Sequence, residues 1–299
     1  MKIIRSISEA NQFRNSINVV GLVPTMGAIH EGHLSLVRKA KEDCDIVIVT
    51  IFTNPIQFSN RDDFSSYPKT IDQDLDFLRQ EGVDLVFCPS EADIYPDGFT
   101  TSVEVEKFSD LFEGKSRPGH FKGVTTIVTK LLNLFLPNKV YFGQKDFQQT
   151  FLIQKLNADL NINSEIIVLP TIRESDGLPV SSRNVLLSKD ERISASVLYR
   201  VLKNIKNLDT FDSKKIYQEI ENEIIKENLV ELDYVKIVNP DTFSELLEVG
   251  ENAIILIAIN IGSIRLIDNV FIKRISSGIE IDYRFERYCL TKSMPTNSV

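Results

Sequence analysis

Runs of branched apolar residues alternate with helical patterns over residues 1–170 of this 299-residue chain. The most continuous run, residues 45–52 (DIVIVTIF), is typical of a strand that is covered on both faces. In residues 34–42 and 70–81, the apolar side chains recur instead at the spacing of one helix face. This alternation predicts an α/β fold with a mostly parallel sheet and helices on both faces. Ligands of such folds bind at the carboxyl ends of the strands.

The alternation stops near Asn184, so we predict a larger domain over residues 1–183 and a smaller α+β domain over residues 184–299. In the smaller domain, Ser188 and Glu191 form a capping-box pattern before a predicted long helix. The predicted strands are residues 2–4, 17–23, 45–52, 83–88, 100–106, 139–142, 165–169, 234–238, 253–259 and 263–267. The predicted helices are residues 8–16, 34–42, 70–81, 124–135, 147–158 and 188–207, with a further helix beginning at residue 212 or 213. Residues 294–299 are expected to be frayed.

Composition excludes several classes of function. With 42% hydrophobic and 25% charged residues, the chain has the composition of a soluble globular protein, and no apolar run reaches the roughly 20 residues of a membrane span. A net charge of −8 argues against general nucleic-acid binding. The first residues lack the apolar core of a signal peptide, and the three cysteines lie far apart in the sequence. We therefore expect free thiols and a cytoplasmic protein without membrane or nucleic-acid partners.

Residues 23–34 (VPTMGAIHEGHL) join a predicted strand to a predicted helix. Free N–H groups and the positive end of a helix dipole make such a junction an anion site, and His30 and His33 would face a bound phosphate. A nucleotide is the first ligand to consider. A zinc site formed by His30, His33 and His120 is disfavoured, because no carboxylate or thiolate stands in recognisable ligand spacing.

Other polar residues also follow predicted strands. Gln57, after an Asn-Pro turn, can donate to and accept from a ligand with hydroxyl and carboxylate groups, although it could also be an ordinary exposed glutamine. Residues 113–124 combine glycines with cationic side chains, which fits either a solvated loop or a lid over phosphates. Lys145 could neutralise phosphate charge, while Asp146 could bind Mg²⁺ or cap a helix.

Residues 173–184 (RESDGLPVSSRN) carry two hydroxyls and an arginine after an Asp-Gly turn. Ser181, Ser182 and Arg183 could grip a phosphate or simply begin another helix. For any one of these segments, an ordinary structural role is a sufficient explanation. Five such segments, which include all three histidines of the chain, together favour one active site.

The same segments resemble the pantothenate synthetase family, and the likeness spans nearly the whole chain in order. The matching segments are residues 24–33, 54–58, 116–121, 142–149, 176–184, 234–240 and 265–269. The resemblance implies a Rossmann-like, nucleotidyltransferase-type domain, a small C-terminal domain that acts partly as a lid, and a homodimer. It also implies ATP-dependent joining of (R)-pantoate to β-alanine, which yields pantothenate, AMP and pyrophosphate.

The resemblance assigns roles to individual residues. His33 matches the family's proton donor, and His30, Lys145 and Arg183 are the other catalytic candidates. Gln57 and Gln149 match the pantoate glutamines, and Gln57 would also meet β-alanine. Apart from the resemblance, Arg117 is a further candidate for substrate binding and Asp146 is the candidate for Mg²⁺. The residues expected to contact ATP are Met26, Gly27, Ala28, Ile29, His30, Glu31, Gly32, His33, Gly143, Gln144, Lys145, Asp146, Ile172, Val180, Ser181, Ser182 and Arg183.

Three positions depart from the family pattern. Gln144 stands where glutamate is frequent, Lys69 where arginine is frequent, and Ile29 where leucine is usual. Altered constants rather than lost function are expected from them. Two alternative functions remain: a nucleotidyltransferase that moves AMP onto another small acceptor, and a nucleotide-sensing protein without turnover.

Overall fold

A computed structural model describes residues 1–13, 18–58 and 61–282 of the chain, without the side chains of residues 61 and 62. Cys289, the predicted frayed end at residues 294–299 and the predicted element boundary at residues 16–17 lie outside the described residues. Among the described helices, none combines the length and the apolar character that crossing a bilayer requires.

The strands and helices follow the predicted order closely. The strands are β1 Lys2–Ile4, β2 Val20–Thr25, β3 Ile46–Ile51, β4 Leu85–Phe87, β5 Lys139–Gly143, β6 Glu165–Leu169, β7 Glu231–Val238, β8 Ala253–Ile261, β9 Ile264–Ile275 and β10 Gly278–Asp282. The helices are α1 Ile7–Gln12, α2 Glu31–Asp43, α3 Arg61–Ser66, α4 Ile71–Gln80, α5 Glu91–Ile94, α6 Glu113–Ser116, α7 His120–Phe135, α8 Phe147–Asp159, α9 Lys189–Ala195, α10 Val197–Asn204 and α11 Ser213–Ile224.

The first sheet is parallel throughout, with the strand order β1-β4-β3-β2-β5-β6. The order reverses between β2 and β5, and the carboxyl ends of these two strands therefore diverge into a crevice. Apolar residues of α2 and α4 pack on one face of the sheet, and those of α7 and α8 pack on the other. The predicted α/β fold is confirmed, because strands that are covered on both faces must be apolar throughout.

The second sheet is antiparallel, with the order β10-β9-β8-β7. One face packs on apolar residues of α10 and α11. The other contributes Ile254, Leu256 and Phe271 to the core that contains α7 and α8. Phe243 joins this contact, since its ring stacks on Phe151 with the centroids 4.6 Å apart. The smaller sheet is thus packed against the apolar core that contains α7 and α8, on one face of the larger sheet.

Residues 100–106, predicted as a strand, belong to no strand, and that prediction is wrong. Their backbone bonds to helix side chains rather than to a neighbouring strand: the Val103 N–H donates to Thr126 Oγ1, and Thr125 Oγ1 donates to the Val103 carbonyl. An alternation of polar and apolar residues does not require a strand. It also fits an extended segment that lies along a helix, as this segment lies along α7.

The predicted long helix of residues 188–207 is interrupted. Ser188 and Glu191 form the expected capping box at the start of α9. At Ser196, however, both the backbone N–H and the hydroxyl donate to the Ile193 carbonyl, which ends α9 before α10 begins. Serine hydroxyls compete with the backbone for such local hydrogen bonds.

Strand β9 is much longer than the predicted residues 263–267, and β10 has no counterpart among the predicted strands. Asp268 and Asn269 interrupt the apolar pattern in the middle of β9. The sequence pattern therefore does not indicate that the strand continues beyond them. Both side chains are nevertheless buried, at 2% and 3% exposure. Buried polar groups need hydrogen-bond partners, and the partners of these two lie at the site described next.

Candidate active site

A cleft with a cavity of about 220 Å³ opens at the carboxyl ends of β2, β3, β5 and β6. It lies at the point where the strand order reverses, which is the expected ligand position in this fold. All three histidines of the chain line it. The structure brings most predicted site residues into its wall, namely Met26, His30, Gly32, His33, Gln57, Arg117, Gly143, Lys145, Asp146, Gln149, Ile172, Val180, Ser181, Ser182 and Arg183. It does not bring in Gly27, Ala28, Ile29, Glu31 or Gln144.

The turn after β2 is held by Asp74 of α4, a residue that the sequence does not single out. The N–H groups of Ala28 and Ile29 donate to the two carboxylate oxygens of Asp74, at 3.0 and 2.8 Å. Gly27 and Ala28 have φ values of 89° and 51°. A Cβ on Gly27 would also lie 3.1 Å from Asp74, so glycine is required there.

This bonding corrects the expected anion site. The sequence predicts free N–H groups at this junction, but those of Ala28 and Ile29 donate to the carboxylate of Asp74. The donors that remain at this junction are at the first turn of α2, where Glu31 and Gly32 have no intrahelical acceptors for their N–H groups. The N–H groups that could bind an anion are therefore those at the beginning of α2 rather than those of the turn before it.

The side chains of Glu31 and Gln144 also point away from the cleft. Glu31 is ion-paired with Arg38 on the surface. Gln144 is 2% exposed, and its Nε2 donates to Asn269 Oδ1 at 3.0 Å. The amide that replaces the family's frequent glutamate thus faces the smaller sheet instead of a triphosphate. Lys69, the other polar departure, lies over the ring of Phe64 with its Nζ 5.3 Å from the centroid.

His30 and His33 stack at the entrance of α2, with ring centroids 4.0 Å apart. The His30 N–H donates to His33 Nδ1 at 3.4 Å, so a neutral His33 carries its proton on Nε2. His33 can therefore donate a hydrogen bond from Nε2 to a ligand in the cleft. His30 Nδ1 is buried without a hydrogen-bond partner.

The site keeps its imidazoles neutral. Burial lowers the pKa of His30 to about 4, with a smaller contribution from Lys145. Burial lowers the pKa of His33 well below its usual range, and His30 and Lys145 add to this effect. Burial, followed by the charge of Arg117, does the same to the pKa of His120. Phosphate groups in the cleft would oppose these shifts and favour protonation.

We expect the ligand-free protein to lose stability as the pH falls from about 6.5 towards about 4, the pKa of folded His30. A histidine whose folded pKa is depressed binds its proton more readily in the unfolded chain. Its contribution to stability is therefore complete above an unfolded pKa of about 6.5 and is lost as the pH falls towards the folded pKa. Thermal melts across this range measure the effect. The variant His30→Asn should show a shallower decline, and equal slopes for both proteins would contradict the assignment.

A chain of hydrogen bonds fixes Gln57. The Tyr95 hydroxyl donates to Asn54 Oδ1 at 2.9 Å, and Asn54 Nδ2 donates to Gln57 Oε1 at 2.7 Å. Asn54 is fully buried and Gln57 is 7% exposed, so Gln57 is not the ordinary exposed glutamine of the alternative interpretation. Because its Oε1 is occupied, Gln57 offers its Nε2 donor to the cleft.

Close backbone packing makes this arrangement possible. Asn54 Nδ2 also donates to the carbonyl of Gly123 in α7. A Cβ on Gly123 would lie 2.8–2.9 Å from the backbone of Ile56 and Gln57, so only glycine lets the helix approach this turn.

Arg117 and His120 form another part of the cleft wall. His120 Nδ1 lies 2.8 Å from the Gln57 carbonyl, which makes Nδ1 the protonated nitrogen. His120 Nε2 is then the acceptor for Arg117 Nη1 at 3.1 Å. Glu113 pairs with Arg265 through both carboxylate oxygens and with Arg117 at 3.4 Å. These contacts hold Glu113, Arg117 and His120 in place, whereas Lys115, Ser116, Pro118 and Gly119 are exposed. The lid over phosphates stays a prediction for residues 113–124.

Ser181, Ser182 and Arg183 also line the cleft. Arg183 Nη2 pairs with Asp63 at 3.1 Å. The Ser182 hydroxyl donates to the Tyr67 hydroxyl at 3.4 Å, and Tyr67 in turn donates to the carbonyl of Gly27. Hydrogen bonds thus connect the segment after β6 to the turn after β2.

Lys145 and Asp146 follow β5 in a short 3-10 turn, and their charged groups are 3.6 Å apart. Asp146 is the one acidic residue among the lining side chains of the cleft in the described part of the chain. Within those residues, no three His, Cys, Asp or Glu side chains converge in a way that could hold a metal ion. A single half-exposed carboxylate fits Mg²⁺ that is held mainly by phosphate oxygens, and it does not fit a zinc site.

Several cleft residues carry no motif signal in the sequence. Apolar side chains of α7 form part of the floor together with Phe52, which gives the site an apolar region beside its cations. Their helical spacing predicts only burial. The lining residues that sequence reasoning does not assign to the site include Tyr67, Val124, Ile127, Val128, Leu131 and Thr171.

Comparison with known proteins gives a consistent result. A family model described as pantoate-β-alanine ligase matches residues 2–271. A pantothenate synthetase of Acetivibrio thermocellus is 46% identical over 280 residues, which cover 91% of this chain and all of the relative. A pantothenate synthetase of Caldicellulosiruptor saccharolyticus is 48% identical over 257 residues, which cover 85% of this chain and 92% of the relative.

Comparison with solved structures finds the same family. The crystal structure of pantothenate synthetase from Thermus thermophilus superposes with a TM-score of 0.86 at 37% identity and covers 90% of this chain and 98% of its own. The pantoate-β-alanine ligase of Francisella tularensis, complexed with β-γ ATP and β-alanine, has a TM-score of 0.77 at 40% identity, with coverages of 90% and 97%.

Proposed function

The chain belongs to the pantoate-β-alanine ligase family, and from that premise we propose how its cleft joins pantoate to β-alanine with ATP. One observation carries the proposal: all three histidines, Lys145, Arg117 and Arg183 line a single cleft together with Gln57 and Gln149. The cations suit a triphosphate and carboxylates, and the glutamines suit a hydroxy acid. The enzyme is a ligase that forms an amide bond.

In the first step, a carboxylate oxygen of (R)-pantoate attacks the α-phosphorus of ATP, and the bond to pyrophosphate breaks. The products are pantoyl adenylate and pyrophosphate. Negative charge grows on the phosphoryl oxygens, so the step needs positioned donors and cations rather than a protein nucleophile. His33 supplies Nε2–H from the first turn of α2, Lys145 supplies a point charge from the end of β5, and Arg183 supplies a forked donor.

Pantoate is assigned to the side of the cleft that holds Gln57, Gln149 and the apolar residues of α7. Gln57 Nε2 is free to donate to a substrate oxygen because its Oε1 accepts from Asn54. In the second step, the neutral β-alanine amine attacks the acyl carbon of the adenylate, the bond to AMP breaks, and the proton of the new amide nitrogen passes to solvent. Arg117 is assigned to a substrate carboxylate, since His120 and Glu113 hold its guanidinium in place.

Mg²⁺, when it is bound with the nucleotide, would be held by Asp146 and phosphate oxygens and would neutralise phosphate charge. The homodimer and the division into domains 1–183 and 184–299, the smaller acting partly as a lid, belong to the same proposal and rest on the family resemblance.

An assay of purified protein with ATP, Mg²⁺, (R)-pantoate and β-alanine tests the function. We expect pantothenate, AMP and pyrophosphate in equal amounts. Pyrophosphate release that requires a different acceptor would favour a nucleotidyltransferase. ATP binding without any turnover would favour a nucleotide-sensing protein. Either result would contradict the proposal.

Replacing Gln57 with glutamate should raise the KM for pantoate about tenfold or more while changing the KM for ATP much less. The substitution keeps the shape of the side chain, but it exchanges a donor for a negative charge that faces a substrate carboxylate. Steady-state kinetics with each substrate varied in turn measure the effect. A matched control is Gln80→Glu, because Gln80 at the end of α4 is exposed and does not line the main cleft. Equal effects on both KM values in Gln57→Glu would contradict the assignment.

A further inference from the structure

Asn269 lies in the middle of β9, in the smaller sheet, yet its side chain bonds to the active-site turn after β5. Its Nδ2 donates to the carbonyls of Gln144 and Lys145, at 2.9 and 3.0 Å. Its Oδ1 accepts from Gln144 Nε2 at 3.0 Å. One buried carboxamide therefore makes three hydrogen bonds to two consecutive residues.

These bonds act on the part of the chain that sets the position of Lys145. The residue lies in a single 3-10 turn, Gln144–Asp146, between β5 and α8. A lysine ammonium sits on a flexible four-carbon stem, so its reach into the cleft depends on where the backbone holds the start of that stem. Asn269 holds the carbonyl of Lys145 itself.

Strand β9 is a rigid base for this contact. The neighbouring Asp268 is buried and accepts from Arg173 Nη1 and Nη2, at 2.6 and 2.9 Å. Arg173 belongs to the segment after β6, and its Nη1 also donates to the carbonyl of Gly177. The Asp268 carboxylate accepts the Asn269 N–H as well, at 2.8 Å. Two adjacent residues of the smaller sheet thus bond to two nucleotide-side segments of the larger domain.

We propose that Asn269 is a positioning residue for the nucleotide: its carboxamide holds the turn that aims Lys145 at the phosphates. This inference rests on the proposed function. It assigns to the smaller sheet a direct structural role in nucleotide binding, in addition to covering the cleft. Asn269 itself does not line the main cleft, so its effect passes through Lys145.

The test is a double-mutant cycle read by the Kd of a non-hydrolysable ATP analogue with Mg²⁺, measured by calorimetry. Asn269→Ala should weaken binding about tenfold, as expected from losing hydrogen bonds to a binding element. Lys145→Ala should weaken it at least as much. In the double variant, the loss should stay within about twofold of that of Lys145→Ala alone, because the two residues act as a unit. Multiplying effects, or an unchanged Kd in Asn269→Ala, would overturn the inference.

Val270→Ala is the matched control for loss of stability. Val270 is the next residue of β9, is 1% exposed, and packs in the core between the smaller sheet and its own helices. Its replacement should lower the melting temperature and leave the Kd of the analogue unchanged. An equal loss of binding in Val270→Ala would show that Asn269 acts only through stability.

If Asn269→Ala does not fold, Asn269→Ser keeps a short hydroxyl donor that cannot reach both carbonyls. It should weaken binding at least about threefold, and wild-type affinity in this variant would also overturn the inference. Failure of the wild-type protein to bind the analogue would instead contradict the proposed function. The two failures are therefore distinguishable.

Discussion

Replacing His33 with alanine should lower the rate of adenylate formation by at least about 100-fold, the usual effect of removing a donor that acts in the transition state. His33 lies at the first turn of α2, and its Nδ1 accepts the His30 N–H, which leaves Nε2–H for the ligand. The loss should fall on kcat more than on the KM for ATP, because the contact strengthens as charge develops. Single-turnover measurement of pantoyl adenylate formation reports this step directly.

Two isosteric variants locate the effect within the imidazole. Asparagine at position 33 can place an acceptor near the Nδ1 position but lacks the distant donor. Glutamine can place an amide donor near the Nε2 position. We expect His33→Gln to retain more activity than His33→Asn. The reverse order would show that His33 only supports the turn, and near-normal adenylation in His33→Ala would show that the donor is a different residue.

Replacing Lys145 with alanine should lower kcat/KM for ATP by about 100-fold or more. The ammonium group is a positive charge on the cleft wall at the carboxyl end of β5, on the side of the cleft where we propose that the nucleotide binds. Its removal leaves phosphate charge uncompensated in a partly enclosed site, where electrostatic interactions are stronger than in water. Steady-state kinetics with ATP varied measure the loss.

Lys145→Arg is the informative comparison for this position. It keeps the charge but replaces a compact ammonium with a longer planar group, so it should restore only part of the activity. If Lys145→Ala retains nearly all of its activity with ATP, the cation that compensates the phosphates must be another residue, such as Arg183.

The sequence predicts the main architecture because its determinants are local. The apolar run of β3 and the stripes of α2 and α4 each follow from the periodicity of neighbouring residues. The same reasoning does not predict the full length of strand β9. Its polar pair Asp268 and Asn269 finds partners about 100 residues earlier in the chain, at Arg173 and in the turn after β5.

In the candidate site too, local sequence patterns predict some residues and miss others. His30, His33, Lys145 and Arg183 can be predicted because they follow strand ends, where parallel sheets gather their ligands. Asp74 cannot, since its role depends on folding α4 back onto the turn after β2. That contact also explains why Ala28 and Ile29, which the family resemblance assigns to ATP, lie behind the cleft wall.

We propose that this cleft activates pantoate by adenylation before the amine takes part. The most direct test is exchange of labelled pyrophosphate into ATP by the purified protein with Mg²⁺ and (R)-pantoate, in the absence of β-alanine. We predict exchange that depends on pantoate and is strongly reduced in His33→Ala. Exchange that is absent until β-alanine is added, or that proceeds equally well without pantoate, would contradict this account.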